Sequence, residues 1–310
     1  MSHTQEQDAG ARAAQTRRVL VTGAAGFVGR RQTETLVARG HSVVAFIHST
    51  QAPEVAGVTI ARGDIRDQDS IAAALDGVSA VIHLAAAKND EKFSREVNVG
   101  GTANLIAACR LKGVRRLIYV STQADARGAY GRTKYEAERL VTASGLDWTV
   151  LKPNLIYGAD KSGAFAKVAA AVMKLPVVPI TGPAHAKLYP IHVDDNCLAI
   201  AVCLENDKTI GKVYVLAGPG GASLTELVEM IGEHLGKRPR MFHLPLWFSL
   251  LAARACCLLS PNHPPISVSN VLGCNQEDVD HDITPMRKEL GVEPRLLEEG
   301  LRSVLRECKM

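Results

Sequence analysis

Arg18-Val19-Leu20-Val21-Thr22-Gly23-Ala24-Ala25-Gly26-Phe27-Val28-Gly29 is the stretch on which the reading of this chain turns. Its first five residues are largely apolar and β-branched, the pattern of a buried strand. Three glycines then follow, each three residues after the last, and helical spacing of apolar residues runs on to Gly40. Glycine at 23 permits a tight turn, at 26 it lets backbone approach a ligand, and at 29 it lets helix and strand pack closely. A helix that opens straight out of such a turn aims free N–H groups and the positive end of its dipole forward. Phosphate is the group this arrangement suits, so the backbone of Gly23, Ala25, Gly26, Phe27 and Val28 is expected to surround a pyrophosphate.

Outward from that turn, short apolar runs at residues 42–47, 58–61, 80–84, 116–120 and 148–151 alternate with helical patterns at 70–75, 98–111 and 130–143. Such alternation implies βαβ crossovers and a parallel sheet, and the near-continuous apolarity of the runs implies helices on both faces. After Pro153, proline and glycine become frequent. Residues 194–204 still read as a helix, 212–216 as a strand, and 225–235 as an amphipathic helix burying Leu224, Leu227, Val228 and Ile231. The expected class is α/β, a Rossmann-type doubly wound parallel sheet with a smaller interleaved C-terminal substrate lobe. Residues 1–16 are expected to be a disordered tail. Residues 17–207 are expected to be mainly the nucleotide-binding domain, with part of 160–190 in the substrate lobe, and 208–310 mainly that lobe.

Composition excludes several classes of function. The 310 residues allow about two domains at roughly 150 residues each. With 46% hydrophobic and 22% charged residues, disorder is excluded for most of the chain. Lys plus Arg total 36 against 32 Asp plus Glu, a surplus of +4 with no basic run, which argues against a nucleic-acid partner. Seven cysteines at 109, 197, 203, 256, 257, 274 and 308 form no C-x-x-C pair. Neither a disulfide framework nor a zinc ribbon is written, and reduced thiols in a cytoplasmic protein are expected. The acidic run at 277–282 fits no metal-ligand spacing, so no metal is expected. The longest apolar stretch, 244–259, is broken by Pro245 and Arg254 and is shorter than the ~20 residues of a membrane span. It is expected to be core or pocket wall, with a membrane-surface helix as the alternative.

Further motifs follow in order. They are Gly63-Asp64-Ile65-Arg66-Asp67, His83-Leu84-Ala85-Ala86, Asn98-Val99-Gly100-Gly101-Thr102 and Tyr119-Val120-Ser121-Thr122. Then come Tyr130-Gly131-Arg132-Thr133-Lys134, Leu151-Lys152-Pro153-Asn154-Leu155-Ile156-Tyr157-Gly158 and Ile191-His192-Val193-Asp194-Asp195. Leu290-Gly291-Val292-Glu293-Pro294 and Glu299-Gly300-Leu301 close the series. From residue 18 onward this order resembles the extended and atypical short-chain dehydrogenase/reductase superfamily, the NAD-dependent epimerases and dehydratases. The resemblance implies an NAD(P) cofactor, with Asp64 and Ile65 flanking adenine and with Leu84, Ala85, Ala86 and Pro153 close to the rest of it.

Tyr130 and Lys134 stand at i and i+4, on one helix face about 5–6 Å apart at Cβ. A free phenol ionises near pH 10, and an adjacent ammonium favours the phenolate. The resemblance implies that Tyr130 exchanges a proton with an alcohol or carbonyl during hydride transfer, and that Lys134 also binds the cofactor ribose. Thr122, with Ser121 as the alternative, is implied to orient the substrate oxygen. The end of the second strand lacks the acid that holds an NAD ribose. Ile47 occupies that place, while His48, Ser49 and Thr50, with Arg30 or Arg31, are candidates for a 2′-phosphate; NADP is expected over NAD. The substrate is a small molecule, either a nucleotide sugar or a hydrophobic, steroid-like ketone or alcohol. Leu188 stands where sugar-nucleotide enzymes are expected to carry an arginine, with Lys187 beside it as a partial replacement. A homodimer is left open. The competing reading is a non-catalytic nucleotide-binding module resembling the accessory subunit of respiratory complex I.

Overall fold

The computed structural model describes residues 16–88, 91–159, 164–183, 185–259, 266–277 and 279–307. All of the expected tail except Thr16 lies outside the described residues. The first half runs β1 (Arg18–Thr22), α1 (Phe27–Ala38), β2 (Ser42–Ile47), β3 (Thr59–Arg62), α2 (Gln68–Ala74) and β4 (Ala80–His83). It continues through α3 (Glu91–Arg95), a π-helical turn (Glu96–Gly100), α4 (Gly101–Lys112), β5 (Arg116–Val120), α5 (Ala129–Thr142) and β6 (Asp147–Pro153). The second half adds β7 (Ile156–Tyr157), α6 (Ala164–Lys174), β8 (Val177–Thr181), β9 (Ile191–His192), α7 (Val193–Glu205) and β10 (Lys212–Leu216). It ends with α8 (Leu224–His234), β11 (Arg240–Leu244), α9 (Leu246–Leu259), α10 (Val268–Gly273), α11 (Thr284–Leu290) and α12 (Leu297–Glu307).

Seven strands form one parallel sheet in the order β10-β6-β5-β4-β1-β2-β3. This is the expected doubly wound class, and it takes its outermost strand, β10, from the second half of the chain. The order reverses between β1 and β4, where Thr22 lies in register with His83. In open α/β sheets the crevice beyond such a reversal is where ligands bind. The alternation along β1 explains why the central strands are mostly apolar. Val19 and Val21 enter one core with Leu36, Ile200 and Leu204, while Leu20 enters the other with Ile71, Leu105 and Val141. A third core joins Tyr157, Phe165, Val178, Leu227, Ile231 and Leu301 beneath the short parallel pair β8–β11.

The structure refines two sequence expectations. The helix expected over 98–111 begins instead with the π-helical turn, because the Asn98 side chain is committed elsewhere. Its amide nitrogen donates to Ala87 O at 3.0 Å and Thr133 Oγ1 at 2.9 Å, and its oxygen accepts from Ala87 N at 2.7 Å. Such bulges concentrate at functional sites. The apolar stretch 244–259 joins none of the three cores, although Leu244, Leu246 and Leu250 are half-buried. Within α9 only Ser249 and Ala253 are buried, and Trp247, Phe248, Leu251, Leu258 and Leu259 face outward. The three cores close without it. Among the described residues no helix is long and apolar enough to cross a membrane.

Candidate functional site

The glycine turn sits at the switch point, and the neighbouring backbone sets its composition. Gly23 has φ +70°, and a Cβ there would lie 2.7 Å from Ala85 N and 2.9 Å from the Leu84 carbonyl carbon. The loop leaving β4 therefore crosses directly over the turn. A Cβ on Gly29 would lie 2.1 Å from Gly23 O. Gly26 is looser, meeting only Gly23 O at 3.3 Å. Gly26 also caps α1 with no side-chain hydrogen bond, and the first turn holds no acid. The opening of α1 thus presents backbone N–H groups and positive dipole to an anion, and the residues fit a pyrophosphate.

At the adenosine end, Ile47 is buried at the close of β2. The Asp64 carboxylate takes Arg66 Nη2 at 2.6 Å and His48 Nε2 at 3.5 Å, and the Arg66 guanidinium holds it below the usual carboxylate range. Arg30 spans from the glycine turn to the loop after β2, with Nε 2.9 Å from Ala25 O and Nη2 3.3 Å from Gln51 O. Arg31 points elsewhere. Its guanidinium is taken by Asp194 at 2.5 Å and Glu34 at 2.7 Å. Of the two arginines weighed for a 2′-phosphate, Arg30 lies between the glycine turn and the loop after β2, whereas Arg31 is held by Asp194 and Glu34.

His83 locks the strand ends beneath the cleft. Thr22 Oγ1 accepts from the N–H of Leu84 and of Ala85, so its proton goes to His83 Nδ1, 2.7 Å away. Thr102 Oγ1 donates to Asn98 O, so it accepts from His83 Nε2 at 3.0 Å. These roles assign the neutral, Nε2–H tautomer. Burial, reinforced by the charge of Lys134, pushes the imidazole down to about 3. An unfolded histidine titrates near 6.5, so below that pH the unfolded chain takes up a proton that the fold refuses. Stability is expected to fall by about 1.4 kcal/mol per pH unit from pH ~6.5 toward ~3 through this residue. Urea unfolding at pH 7 and pH 5 checks this. The loss between the two should shrink by about 2 kcal/mol in His83→Gln.

Tyr130 and Lys134 lie on α5 above the ends of β4 and β5. Lys134 is 1% exposed, and its Nζ stands 4.2 Å from the centre of the Tyr119 ring. Among the described residues no carboxylate comes within ion-pair distance of it. Burial, with a smaller push from Lys88 and against the opposing pull of Glu138, lowers its pKa to about 7. Lys88 Nζ stands 5.0 Å from the centre of the Tyr130 ring. The spacing of the motifs could not show this second cation, because it lies on the loop after β4. Of the two hydroxyls, Ser121 Oγ donates to Glu138 at 2.6 Å, and Glu138 also pairs with Lys152 at 2.8 Å. Thr122 Oγ1 accepts from Ala124 N at 3.0 Å and donates to no described residue. Pro153 ends β6 opposite Leu216.

The paired aspartates after His192 have a structural use. Asp195 takes Arg295 in a two-pronged contact at 2.7–3.1 Å, and Asp194 takes Arg31 of α1. They tie the glycine-turn helix to the segment Leu290-Gly291-Val292-Glu293-Pro294-Arg295, which explains two of the sequence motifs at once. Among the described residues no cluster could hold a metal. His281, from the acidic run, stacks on Tyr189 at 4.2 Å, and Asp278 of that run lies outside the described residues.

The model of the NAD dependent epimerase/dehydratase family matches residues 19–217. The chain is 32% identical to the 3 beta-hydroxysteroid dehydrogenase/Delta 5-->4-isomerase of Mycobacterium tuberculosis, over 72% of this chain and 71% of that protein. It is 29% identical to the 2-alkyl-3-oxoalkanoate reductase of Stenotrophomonas maltophilia, over 92% of this chain and 97% of that one. In fold it is similar to the UDP-glucose 4-epimerase of Thermus thermophilus solved with NAD. That likeness has a TM-score of 0.74 at 23% identity, over 94% of this chain and 99% of that one. The matched span runs from the glycine turn through the Tyr130/Lys134 helix to β10. The chain therefore belongs to the NAD-dependent epimerase/dehydratase family, within the extended short-chain dehydrogenases/reductases, and is an enzyme of that type.

Proposed function

We propose that this enzyme interconverts an alcohol and a ketone on a hydrophobic small molecule, with a preference for NADP over NAD. The observation that carries the reading is Lys134, buried with no ion-pair partner among the described residues and one helical turn from Tyr130 on α5. The glycine turn would hold the pyrophosphate, Asp64 and Ile65 the adenine side, and Leu84, Ala85, Ala86 and Pro153 the nicotinamide side. Bound there, the nicotinamide supplies or accepts the hydride. Tyr130 gives its phenolic proton to a ketone oxygen, or takes one from an alcohol. Lys134, when charged, favours the phenolate and hydrogen-bonds the cofactor ribose. Thr122 orients the substrate oxygen, and it is preferred over Ser121 because Glu138 already occupies the serine hydroxyl. The lobe built on the third core forms the far wall of the substrate cleft.

A hydrophobic substrate is favoured over a nucleotide sugar by Leu188, which leaves the phosphate-binding arginine missing. The two relatives named for steroid and alkyl-oxoalkanoate chemistry point the same way. Absorbance of the reduced cofactor, followed with hydrophobic ketones and with sugar nucleotides, tests the reading. Turnover of the ketones is expected; silence toward both classes alongside tight cofactor binding would instead support a nucleotide-binding module. Fluorescence titration tests the cofactor preference. NADPH should bind at least ~10-fold more tightly than NADH, and Arg30→Glu should erase that gap, since a close charge pair is worth about one to two kcal/mol. Tighter NADH binding by the wild type would defeat the preference.

A further inference from the structure

α9 is built inside out relative to the other helices. Most of its large side chains face solvent, with Trp247 68%, Leu251 57%, Leu258 81% and Leu259 87% exposed, while Leu246 and Leu250 are half-buried and its buried positions are the small Ser249 and Ala253. The surface continues along the chain into β11, where Phe242 is 59% exposed in register with the exposed Pro179, and Arg240 lies opposite the exposed Val177. Monomeric proteins rarely leave so contiguous an apolar run uncovered without a use for it.

The charge pattern says what covers it. From His234 to Gln276 the sequence holds no aspartate or glutamate, although Lys237, Arg238, Arg240 and Arg254 all fall within that window. Arg238, Arg240 and Arg254 are exposed and form no ion pair among the described residues. A second copy docked face to face through a two-fold axis would bring these arginines against their own equivalents with no acid to meet them. An anionic lipid surface meets both demands at once, since acyl chains receive the apolar side chains and headgroups receive the cations. Fourteen residues of helix span about 21 Å, less than the ~30 Å hydrocarbon core, so α9 is long enough to lie in the interface and too short to cross it.

We propose that α9 and the adjoining end of β11 form a docking surface for anionic phospholipid bilayers, with Trp247 and the leucines inserted and Arg238, Arg240 and Arg254 at the headgroups. α9 packs on α10, and Ser269 of α10 lies against Gly128 at the start of α5, so the surface is anchored beside the cleft. The surface is independent of the reading of the cofactor site.

Vesicle flotation of the full chain decides the matter, using phosphatidylcholine alone and phosphatidylcholine with about 30% phosphatidylglycerol. Binding is expected to the anionic vesicles, at least ~10-fold stronger than to the neutral ones and weakened by salt, because each cation at an anionic surface contributes roughly five-fold. Leu258→Glu/Leu259→Glu should abolish it, and Arg238→Glu/Arg240→Glu should remove the anionic preference. Both variants should keep wild-type thermal midpoints and NADPH titration, because these side chains already face water. Equal binding of wild type and the Leu258→Glu/Leu259→Glu variant would overturn the proposal. So would failure to float with either vesicle, whether the protein is monomeric or forms a dimer that the leucine variant breaks.

Discussion

Tyr130→Phe is expected to lose on the order of 10³-fold in kcat while holding its cofactor as tightly as the wild type. The phenol oxygen is the only atom removed. Among the described contacts of Tyr130 the one given by its side chain is the Lys88 ammonium over its ring, which phenylalanine keeps. Thermal stability should therefore change little, and single-turnover absorbance should separate lost chemistry from lost binding. Retention of a tenth or more of wild-type turnover would remove Tyr130 from the proton transfer.

Lys134→Met should be as damaging to turnover, yet it should leave a more stable protein at low pH. In the fold Lys134 gives up its proton near pH 7, whereas an unfolded lysine does so near 10.4. Below pH 7 both states are protonated, and the fold bears the cost of a buried ammonium that Glu138 offsets only in part. Between pH ~7 and ~10 the unfolded chain holds the extra proton, so wild-type stability rises with pH across that window. Methionine fills the same space without the charge. The variant should exceed the wild type by on the order of 1–3 kcal/mol at pH 6, with the advantage shrinking toward pH 10. Stability sacrificed at a working residue is the usual trade in enzymes. A variant that is less stable at pH 6 would mean that the Tyr119 contact outweighs the desolvation.

How much of this was legible in the sequence depends on where the determining forces lie. The glycine turn was legible because backbone geometry dictates residue type locally. Gly23 needs a left-handed φ, and Gly29 has no room for a Cβ. The central strands were legible because both faces are covered, so each is largely apolar. Lys88 was not, since its place over Tyr130 is set by the path of a loop and leaves no period in the chain. The π-helical turn was hidden because Asn98, which reads as an ordinary helical residue, bonds across to Ala87 and Thr133. Arg30 and Arg31 are adjacent and chemically alike. Asp194, on a helix far away in sequence, joins Glu34 in holding one of them and not the other. The outward face of α9 misled for a related reason. Apolarity predicts burial only where a partner surface exists within the chain, and here the cores close without it.

The glycine turn yields the second large effect, because two of its glycines should fail in different ways. Gly29→Ala places a Cβ 2.1 Å from Gly23 O and 2.7 Å from Ala24 Cα, and neither obstacle is a flexible side chain that could swing aside. α1 must move off β1, carrying Arg31 and its tie to Asp194 with it. A loss of ~3 kcal/mol or more is expected, at the upper end of overpacking costs, together with loss of cofactor binding. Gly26→Ala meets only Gly23 O, at 3.3 Å, a distance that a few tenths of an ångström relieves. Its fold should stand within about 1 kcal/mol of wild type. The added methyl nevertheless occupies the open side of the turn, where the pyrophosphate must touch backbone, so NADPH affinity should fall by roughly 100-fold or more. Thermal melts and fluorescence titrations on the same two proteins read both quantities. If Gly26→Ala bound NADPH normally, the phosphates would not rest on this turn. If Gly29→Ala melted with the wild type, the close seating of α1 on β1 would not be what demands glycine there.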